Sequence, residues 1–317
     1  MTTDTRLPPL VVLAGATATG KTSVSISLAL ALSARGVAAE IVSADSRQVY
    51  RGMDIGTAKA TPEQRAVVPH HCLDLVDPDR QFSVAEYAKA ANEALVGIAS
   101  RGSVALLVGG TGFYLRAVGR GLALDQLPWD PGARAAIETQ LAEEGLPALA
   151  AELGRLAPHR AAEVDLRNPR RVVRALEIAR ALGDVPLPAP RGYGQPVLWL
   201  GLRVEPGILH ERIRQRARSQ FEAGLVEETR SLAARYDPSL PSFSGIGYAE
   251  SLAYLAGRLS WDDAIAEDAR RNVQLARRQA TWFRREPDID WLDATTAEPL
   301  EPALETTSAW LDMAVRA

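Results

Sequence analysis

Short apolar runs alternate with segments of helical spacing along the first part of the chain. The runs Leu10–Ala14, Glu40–Ala44 and Val104–Val108 predict buried strands, whereas Lys21–Ser33 and Val84–Ile98 have the spacing of helices. Uninterrupted apolar strands that alternate with helices are typical of a parallel sheet covered on both faces. The pattern therefore predicts an α/β fold built on a parallel sheet.

The hydrophobic pattern changes over residues 122–196. Alanine-rich segments of helical spacing follow one another there without a strand-like run, and a stretch rich in proline and glycine at the end is typical of a linker. Val197–Leu202 then predicts a strand that returns to the sheet, and Ile289–Leu292 predicts a short last strand. We therefore expect a core formed by residues 1–121 and 197–317, interrupted by an all-helical insertion.

Composition places the chain among globular proteins. Of its 317 residues, 47% are hydrophobic and 24% are charged, which suits about two domains with a sizeable core. No run of about 18 apolar residues predicts a membrane-spanning helix, and the first nine residues lack the apolar segment of a secretory signal. The single cysteine, Cys72, can form neither an internal disulfide nor a zinc cluster. We therefore expect a cytoplasmic protein.

The distribution of charge is more informative than its sum. A net charge of −3 does not indicate nucleic-acid binding, although one basic face would be enough for it. Only three of the 36 basic residues are lysines, namely Lys21, Lys59 and Lys89. In so arginine-rich a chain, each lysine is a candidate for a function that a guanidinium group cannot perform.

A phosphate-binding motif lies between the first predicted strand and the first predicted helix. The pattern GxxxxGK[ST] is formed by Gly15, Ala16, Thr17, Ala18, Thr19, Gly20, Lys21 and Thr22. In such a P-loop the backbone N–H groups turn toward phosphate oxygens, and the following helix adds the positive end of its dipole. Lys21 would neutralise phosphate charge, and the Thr22 hydroxyl would bind Mg²⁺. The alternative is a chance glycine-rich loop, which the strand–loop–helix context disfavours.

The predicted strand Val104–Val108 ends in a second glycine-rich turn, Gly109-Gly110-Thr111-Gly112. ATPases and GTPases with a P-loop usually have a metal-binding aspartate at the end of such a strand, so this turn argues against a hydrolytic motor. We interpret it as a further phosphate or base contact in which Thr111 is a donor. The alternative is that Thr111 caps the helix that follows.

Asp45 follows the predicted strand Glu40–Ala44 directly. Because the carboxyl ends of parallel strands form the ligand crevice of an open sheet, Asp45 is expected to face the ligand of the P-loop. A carboxylate beside phosphates is repelled unless a metal ion or a lysine compensates. We therefore favour a functional role over the alternative, an aspartate that caps a turn.

A third candidate for the same site comes from helical spacing. Leu209, Ile213, Ala217 and Phe221 recur every four residues and predict one apolar helix face. Arg216 borders this face and is expected to point toward the core, where an arginine requires an anion. The alternative is a solvated arginine in an arginine-rich helix.

Several motifs in fixed order resemble those of the tRNA dimethylallyltransferases. Besides the P-loop, the resemblance rests on Asp45–Lys59 (DSRQVYRGMDIGTAK), Val68–Pro78 (VPHHCLDLVDP), Val108–Leu115 (VGGTGFYL), Arg174–Glu177 (RALE) and Arg278–Arg284 (RQATWFR). It extends over residues 10–292. The expected fold is thus a P-loop NTPase-like parallel sheet with helices on both faces and a helical insertion.

The resemblance implies transfer of a dimethylallyl group from dimethylallyl diphosphate to the N6 amine of the adenosine adjacent to the tRNA anticodon. It implies that Asp45 is the catalytic base and that Thr111 and Arg216 belong to the catalytic site. The P-loop would hold the prenyl diphosphate in place of ATP, with Mg²⁺ as cofactor. Contacts with tRNA are expected from Asp45, Ser46, Arg47, Gln48 and Thr111. We expect a monomer that binds the anticodon stem-loop.

Further tRNA contacts are predicted at the start of a helix in the insertion, where Asn168 would be the cap and Pro169 the first residue. Four arginines lie there: Arg167, Arg170, Arg171 and Arg174. Cations are unfavourable at a helix N-terminus, and RNA phosphates would offset them; a solvated basic end is the alternative. Arginines also recur at heptad spacing over residues 270–285, where RNA contact and a solvated face stay equally open.

Some residues fit the expected pattern less well. His70 and His71 are favoured as core or loop histidines over metal ligands, because neighbours in an irregular stretch do not easily share one ion. Ser244, Ala249 and Asn272–Leu275 depart from the family pattern, which leaves open whether these positions contact tRNA. The chain has no cysteines for the zinc finger of eukaryotic relatives, which favours the bacterial form.

Three other functions compete with tRNA prenylation. A small-molecule kinase would consume ATP, but the strand-end aspartate is missing. An adenylate prenyltransferase would modify free nucleotide, whereas the long insertion with a basic helix start favours a macromolecular acceptor. A protein that binds RNA and senses a P-loop ligand would leave the RNA unmodified.

Overall fold

The structure, a computed structural model, describes residues 7–316 of the chain. The residues outside this range include most of the N-terminal segment in which the sequence shows no secretory signal. The chain divides into two compact units. The core unit extends up to Gly121 and resumes at Gly192, and the helical unit is Leu122–Arg191.

The core unit contains one parallel sheet, whose six strands within the described residues follow the order β3-β2-β4-β1-β5-β6. The strands are β1 (Leu10–Gly15), β2 (Ala39–Ser43), β3 (His70–His71), β4 (Val104–Gly109), β5 (Val197–Arg203) and β6 (Asp290–Asp293). The five predicted strands are thus confirmed to within one or two residues. β3 was not predicted, because two histidines form no apolar run.

The central strands are apolar on both faces because both faces are covered. Every residue of β1 is buried. Leu10 and Val12 belong to one hydrophobic core, and Val11 and Leu13 belong to a second core on the other face. The alternation of side chains along a strand explains this division, and the predicted parallel sheet with helices on both faces is confirmed.

The helices before the helical unit begin with recognisable signals. They are α1 (Lys21–Ala34), α2 (Pro62–Val67), α3 (Val84–Ser100) and α4 (Gly112–Gly119). Ser83 caps α3 in a capping box with Glu86, in which each side chain accepts a backbone N–H bond from the other residue. These reciprocal bonds satisfy two N–H groups that the helix start would otherwise leave free.

The helical unit has a small core of its own. It contains a 3-10 turn, Leu124–Gln126, followed by α5 (Pro131–Glu144), α6 (Leu146–Leu156), α7 (Pro158–Glu163) and α8 (Pro169–Leu182). Ile137, Leu149, Leu153 and Leu176 are completely buried in it. A core formed within this unit explains why alanine-rich helical segments without strands suffice to fold it.

The chain then completes the core unit with further helices. They are α9 (Pro206–Glu222), α10 (Leu225–Ala233), a 3-10 turn at Pro241–Ser244, α11 (Tyr248–Leu255), α12 (Trp261–Phe283) and α13 (Leu300–Arg316). Among the helices of residues 7–316, none combines the length and the apolar character that crossing a membrane requires.

Candidate active site

A cleft of the core unit opens at the carboxyl ends of β1, β2 and β4. Its cavity has a volume of about 900 Å³ and is lined by the P-loop, the segment after β2, the turn after β4, and side chains of α9 and α12. Parallel strands end at one edge of the sheet, so residues that follow different strands meet there. The cleft brings together the four residues that the sequence singled out separately: Lys21, Asp45, Thr111 and Arg216.

The P-loop, Gly15–Thr22, curls between β1 and α1. Gly20 has φ 91° and Ala18 has φ 62°; this left-handed region is open to glycine and costs other residues about 1–2 kcal/mol. Thr19 Oγ1 and Lys21 Nζ both donate to the Ala16 carbonyl oxygen, at 2.9 and 2.6 Å. These bonds hold the loop closed and keep the Lys21 ammonium at the wall of the cavity.

The cleft carries more positive than negative charge. Burial lowers the pKa of Lys21 to about 8, while the Asp45 carboxylate acts to raise it and the Arg216 guanidinium lowers it further. Lys21 and Arg216 share the Asp45 carboxylate, and the described residues that line the cleft add four arginines but no second acidic side chain. An anionic ligand would offset this imbalance and restore the ordinary pKa of the lysine.

Arg216 points from α9 toward the P-loop, as its position beside the apolar helix face predicts. Its Nη1 donates to Thr17 Oγ1 at 3.1 Å, and its Nε is buried without a hydrogen-bond partner among residues 7–316. Burial lowers the pKa of this guanidinium, whereas the Asp45 and Asp268 carboxylates act to raise it. A buried donor without an acceptor is costly, and a phosphate oxygen would supply the acceptor.

Asp45 is tied to the chain by only one carboxylate oxygen in the described structure. Its Oδ1 accepts the Arg47 N–H bond at 2.8 Å. Thr111 Oγ1 accepts the N–H bond of the neighbouring Ser46 at 3.0 Å, although Thr111 stands at the N-cap position of α4, where its side chain makes no capping bond. The threonine therefore links the β4 turn to the segment of Asp45, and the capping alternative does not describe its contacts.

The second glycine turn is needed for close packing. A Cβ atom on Gly109 would overlap the Ala44 carbonyl oxygen, and one on Gly112 would overlap the indole ring of Trp282. Neither glycine has a positive φ. Glycine is required here because neighbouring backbone and side chains leave no room, whereas the sequence suggested a second loop shaped for phosphate.

Two residues predicted to contact tRNA line the cavity but are partly engaged with the protein itself. Gln48 Oε1 accepts a bond from Ser43 Oγ at 2.8 Å, and its Nε2 donates to the Thr57 carbonyl oxygen at 3.2 Å. Arg47 donates to two backbone carbonyl oxygens at 3.3 and 3.4 Å. Part of their bonding capacity therefore fixes the loop that follows Asp45.

A carboxylate that was not predicted from the sequence holds the loop Asp54–Gly56. Glu228 of α10 accepts the Ile55 N–H bond at 2.9 Å and the Tyr248 hydroxyl bond at 2.6 Å. A Cβ on Gly56 would lie 2.5 Å from the Tyr248 ring, so the glycine is also a packing requirement. The sequence does not reveal this contact, because Glu228 is more than 170 residues away from the loop along the chain.

The three lysines have three different environments. Lys21 lines the cleft, and Lys89 is exposed on α3. The Lys59 side chain is completely buried and donates to the carboxylates of Asp54 and Asp74, at 2.5 and 2.7 Å. Of the three scarce lysines, Lys21 therefore faces the cleft and Lys59 forms structural ion pairs with two carboxylates.

In the helical unit, α8 begins as the sequence predicts. Asn168 caps it by accepting the Arg171 N–H bond at 3.3 Å, and Pro169 occupies the first position. Arg170 and Arg171 are exposed, and neither forms an ion pair within the described part of this unit. These two arginines are therefore exposed cations of the helix start without an acidic partner among the described residues.

The other two arginines of the helix start are paired. Arg167 contacts the Asp165 carboxylate at 3.1 Å. Arg174 contacts Glu177 at 2.7 Å and donates to the Pro128 carbonyl oxygen at 2.7 Å. Arg174 thus stabilises the packing of the helical unit in this structure.

The arginines of α12 do not form a uniform basic band. Arg270 pairs with Glu267 at 2.5 Å, and Arg271 pairs with the buried Glu250. Arg278 lines the cleft. The heptad spacing predicts which residues share a helix side, but it does not reveal which of them already have an acidic partner.

His70 and His71 lie on the edge strand β3, so the irregular stretch expected there was wrong. His71 Nε2 contacts Glu40 Oε2 at 2.7 Å. The Arg101 guanidinium, with help from His71, lowers the pKa of Glu40 to about 2. Burial lowers the pKa of His70, which lines the cleft.

Comparison with protein-family models identifies the family to which this chain is similar. The model described as IPP transferase matches residues 48–286. A tRNA dimethylallyltransferase of Roseiflexus sp. (strain RS-1) is 44% identical over 310 residues, which cover 96% of this chain and 99% of that protein. Another from Thermus thermophilus is 44% identical over 287 residues, with 89% and 91% covered.

Solved structures of IPP transferases are also similar to this chain. The tRNA isopentenylpyrophosphate transferase of Bacillus halodurans matches with a TM-score of 0.71 and 35% identity, over 97% of this chain and 98% of that one. A eukaryotic dimethylallyltransferase described as acting on tRNA matches with a TM-score of 0.78 over 96% of this chain and 80% of that one. At 22% identity, the second match shows the shared fold alone.

Proposed function

The chain belongs to the IPP transferase family, and we propose that it transfers a dimethylallyl group from dimethylallyl diphosphate to the N6 amine of adenosine 37 in tRNA. It is a tRNA prenyltransferase. The observation that carries the proposal is one cleft that joins a cationic P-loop to the carboxylate of Asp45. Such a cleft suits a reaction in which a diphosphate leaves while an amine loses a proton.

The P-loop side of the cleft would bind and stabilise the leaving group. As the bond between the prenyl carbon and the diphosphate oxygen breaks, negative charge grows on that oxygen. Lys21, the N-terminal end of α1 and the buried Nε of Arg216 are positive groups of the cleft that would stabilise this charge. Preorganised charges of this kind supply a large part of the rate enhancement in group transfer.

The opposite side of the cleft would activate the acceptor. The N6 amine is a poor nucleophile because its lone pair is delocalised into the purine ring. As the nitrogen forms its bond to the prenyl carbon, it must lose one proton, and the free Oδ2 of Asp45 is the acceptor for that proton. Thr111, held by Ser46 beside Asp45, would keep this segment in place.

Mg²⁺ would accompany the diphosphate. No cluster of three or more acidic, histidine or cysteine residues suited to a metal occurs among residues 7–316, whereas Thr22 lines the cleft next to the P-loop. A Mg²⁺ ion held by one hydroxyl and by substrate phosphates suits this sparse donor set. When bound, it would neutralise charge on the diphosphate.

The helical unit would bind the tRNA backbone. Arg170 and Arg171 are exposed, and a helix N-terminus favours anions, so RNA phosphates would be stabilised there. Arg167 and Arg174 would contribute only by exchanging an acidic partner for a phosphate. The monomeric state and the cytoplasmic location stay predictions of the sequence.

The test is a mass analysis of tRNA nucleosides after incubation with dimethylallyl diphosphate and Mg²⁺. The wild-type chain should convert adenosine 37 to its prenylated form, and a transcript with guanosine at that position should stay unmodified. Asp45→Ala should lower turnover about 100-fold or more with little change in tRNA affinity. Bound tRNA that stays unmodified with the wild-type chain would overturn the proposal.

A further inference from the structure

Gln279, near the end of α12, bridges the two glycine turns of the cleft. Its Oε1 accepts the Thr17 N–H bond at 2.8 Å, and its Nε2 donates to the Gly110 carbonyl oxygen at 2.9 Å. One side chain therefore joins the P-loop to the turn that carries Thr111. The residues it joins are 262 and 169 positions away from it along the chain.

We propose that Gln279 is a positioning residue that sets the distance between the diphosphate and the acceptor side of the cleft. The inference rests on the proposed prenyl transfer. A continuous series of contacts leads from Thr17 through Gln279 to Gly110 and Thr111, and from the Thr111 hydroxyl to Ser46 beside the base. In a displacement reaction, a misplacement of about 1 Å can cost 100-fold in rate.

The chemistry of the bridge requires a primary amide of this length. An amide both accepts and donates, and its two partners fix which end faces which turn. A carboxylate would repel the Gly110 carbonyl oxygen, and an apolar side chain would leave both backbone groups without a partner. A Cβ on Gly110 would overlap Gln279 Nε2, so the glycine makes room for the amide.

The bridge also assigns a role to one N–H group of the P-loop. The Thr17 N–H donates a hydrogen bond to Gln279, while the Thr17 hydroxyl accepts one from Arg216. Thr17 is therefore held by two elements, α12 and α9, that the sequence places far from the P-loop. Gln279 acts through Thr17 and Gly110, and the other P-loop N–H groups remain for phosphate.

The experiment compares Gln279→Met and Gln279→Glu in the full chain. Met keeps the volume and loses both bonds, so kcat should fall about 10–100-fold while KM for both substrates changes less than about threefold. Glu keeps only the bond to Thr17 and adds negative charge, so kcat should fall and KM for dimethylallyl diphosphate should also rise. Gln215→Met is the matched control, because Gln215 is exposed on α9 and its side chain bonds only to Glu211 among residues 7–316.

Two further measurements separate positioning from other roles. The dissociation constant of inorganic diphosphate, measured by calorimetry, should change less than about threefold in Gln279→Met. This measurement does not depend on prenyl transfer. In a double-mutant cycle, Gln279→Met and Thr111→Val should lower kcat together by less than the product of their single effects. Independent effects, a change confined to KM, or a lower melting temperature with wild-type kcat would each overturn the proposal.

Discussion

The two glycine-rich turns of the cleft look alike in sequence but meet different physical requirements. In the P-loop, Gly20 has φ 91° and a Cβ there would contact nothing within 4 Å, so its glycine serves the backbone conformation. In the second turn, Gly109 has an ordinary φ and no room for a side chain. The first turn is shaped to bind a ligand, and the second is packed to present Thr111.

This difference means that glycine content alone does not identify a phosphate site. Ligand-binding glycines are recognised by a left-handed backbone conformation beside open space and a cation, here Lys21. Packing glycines are recognised by contact with distant residues, here the indole of Trp282 against Gly112. Substitutions should therefore affect binding at the first turn and stability at the second.

The largest effect is expected for Gly109→Ala. The new methyl group would overlap the Ala44 carbonyl oxygen, so we expect a loss of about 3 kcal/mol in the free energy of unfolding. Urea denaturation measures this loss in the free energy of unfolding. Gly102→Ala is the matched control: Gly102 has φ 68° and free space for a Cβ, and its cost should be about 1 kcal/mol. Equal losses would contradict the packing role.

Lys21→Met should have the next largest effect, on binding and catalysis without loss of stability. Removing the ammonium takes away a charge directed at the leaving group, so kcat/KM for dimethylallyl diphosphate should fall about 100-fold. The melting temperature should change little, because Thr19 keeps its own bond to the Ala16 carbonyl oxygen and burial already disfavours the charged lysine. Lys89→Met, at an exposed site of α3, should match wild type, and an active Lys21→Met variant would remove the P-loop from the mechanism.

Thr111→Val should have a smaller effect, on kcat. Valine has nearly the shape of threonine but cannot accept the Ser46 N–H bond, so kcat should fall about tenfold. Thr111→Ser keeps the hydroxyl and should stay within about threefold of wild type. Steady-state kinetics at saturating tRNA distinguishes the two variants. Equal rates for Val and Ser would show that the hydroxyl is not needed.

A gradual effect is expected from pH. The pKa of Lys21 is about 8 in the free protein, so the ammonium is present below that pH and is lost above it. Because kcat/KM reports the free enzyme, its value for dimethylallyl diphosphate should fall about tenfold between about pH 7 and 9. The Lys21→Met variant should lack this fall. A flat wild-type profile over the range would contradict the lowered pKa.

The fold was largely predictable because its signals are local. Apolar runs such as Val104–Val108 mark buried strands, and Asn168 with Pro169 marks the start of α8. The edge strand His70–His71 escaped prediction, since it is held by pairing with β2 and has no apolar run. Its formation depends on a neighbouring strand that the local sequence does not reveal.

The candidate site was predictable only in part, for a related reason. Lys21 belongs to a local sequence motif, Asp45 follows a predicted strand, and periodicity shows the direction of Arg216. Gln279 and Glu228 were missed, because their contacts join residues more than 160 positions apart. Tertiary contacts of single polar side chains leave no periodic signal in a single sequence.

In the proposed reaction the P-loop binds dimethylallyl diphosphate, and the diphosphate group leaves. The most direct measurement counts products in a reaction that contains tRNA, dimethylallyl diphosphate and Mg²⁺ but no nucleoside triphosphate. Prenyl transfer predicts one diphosphate released for each prenylated adenosine. A requirement for ATP, or ATP hydrolysis with unmodified tRNA, would contradict it.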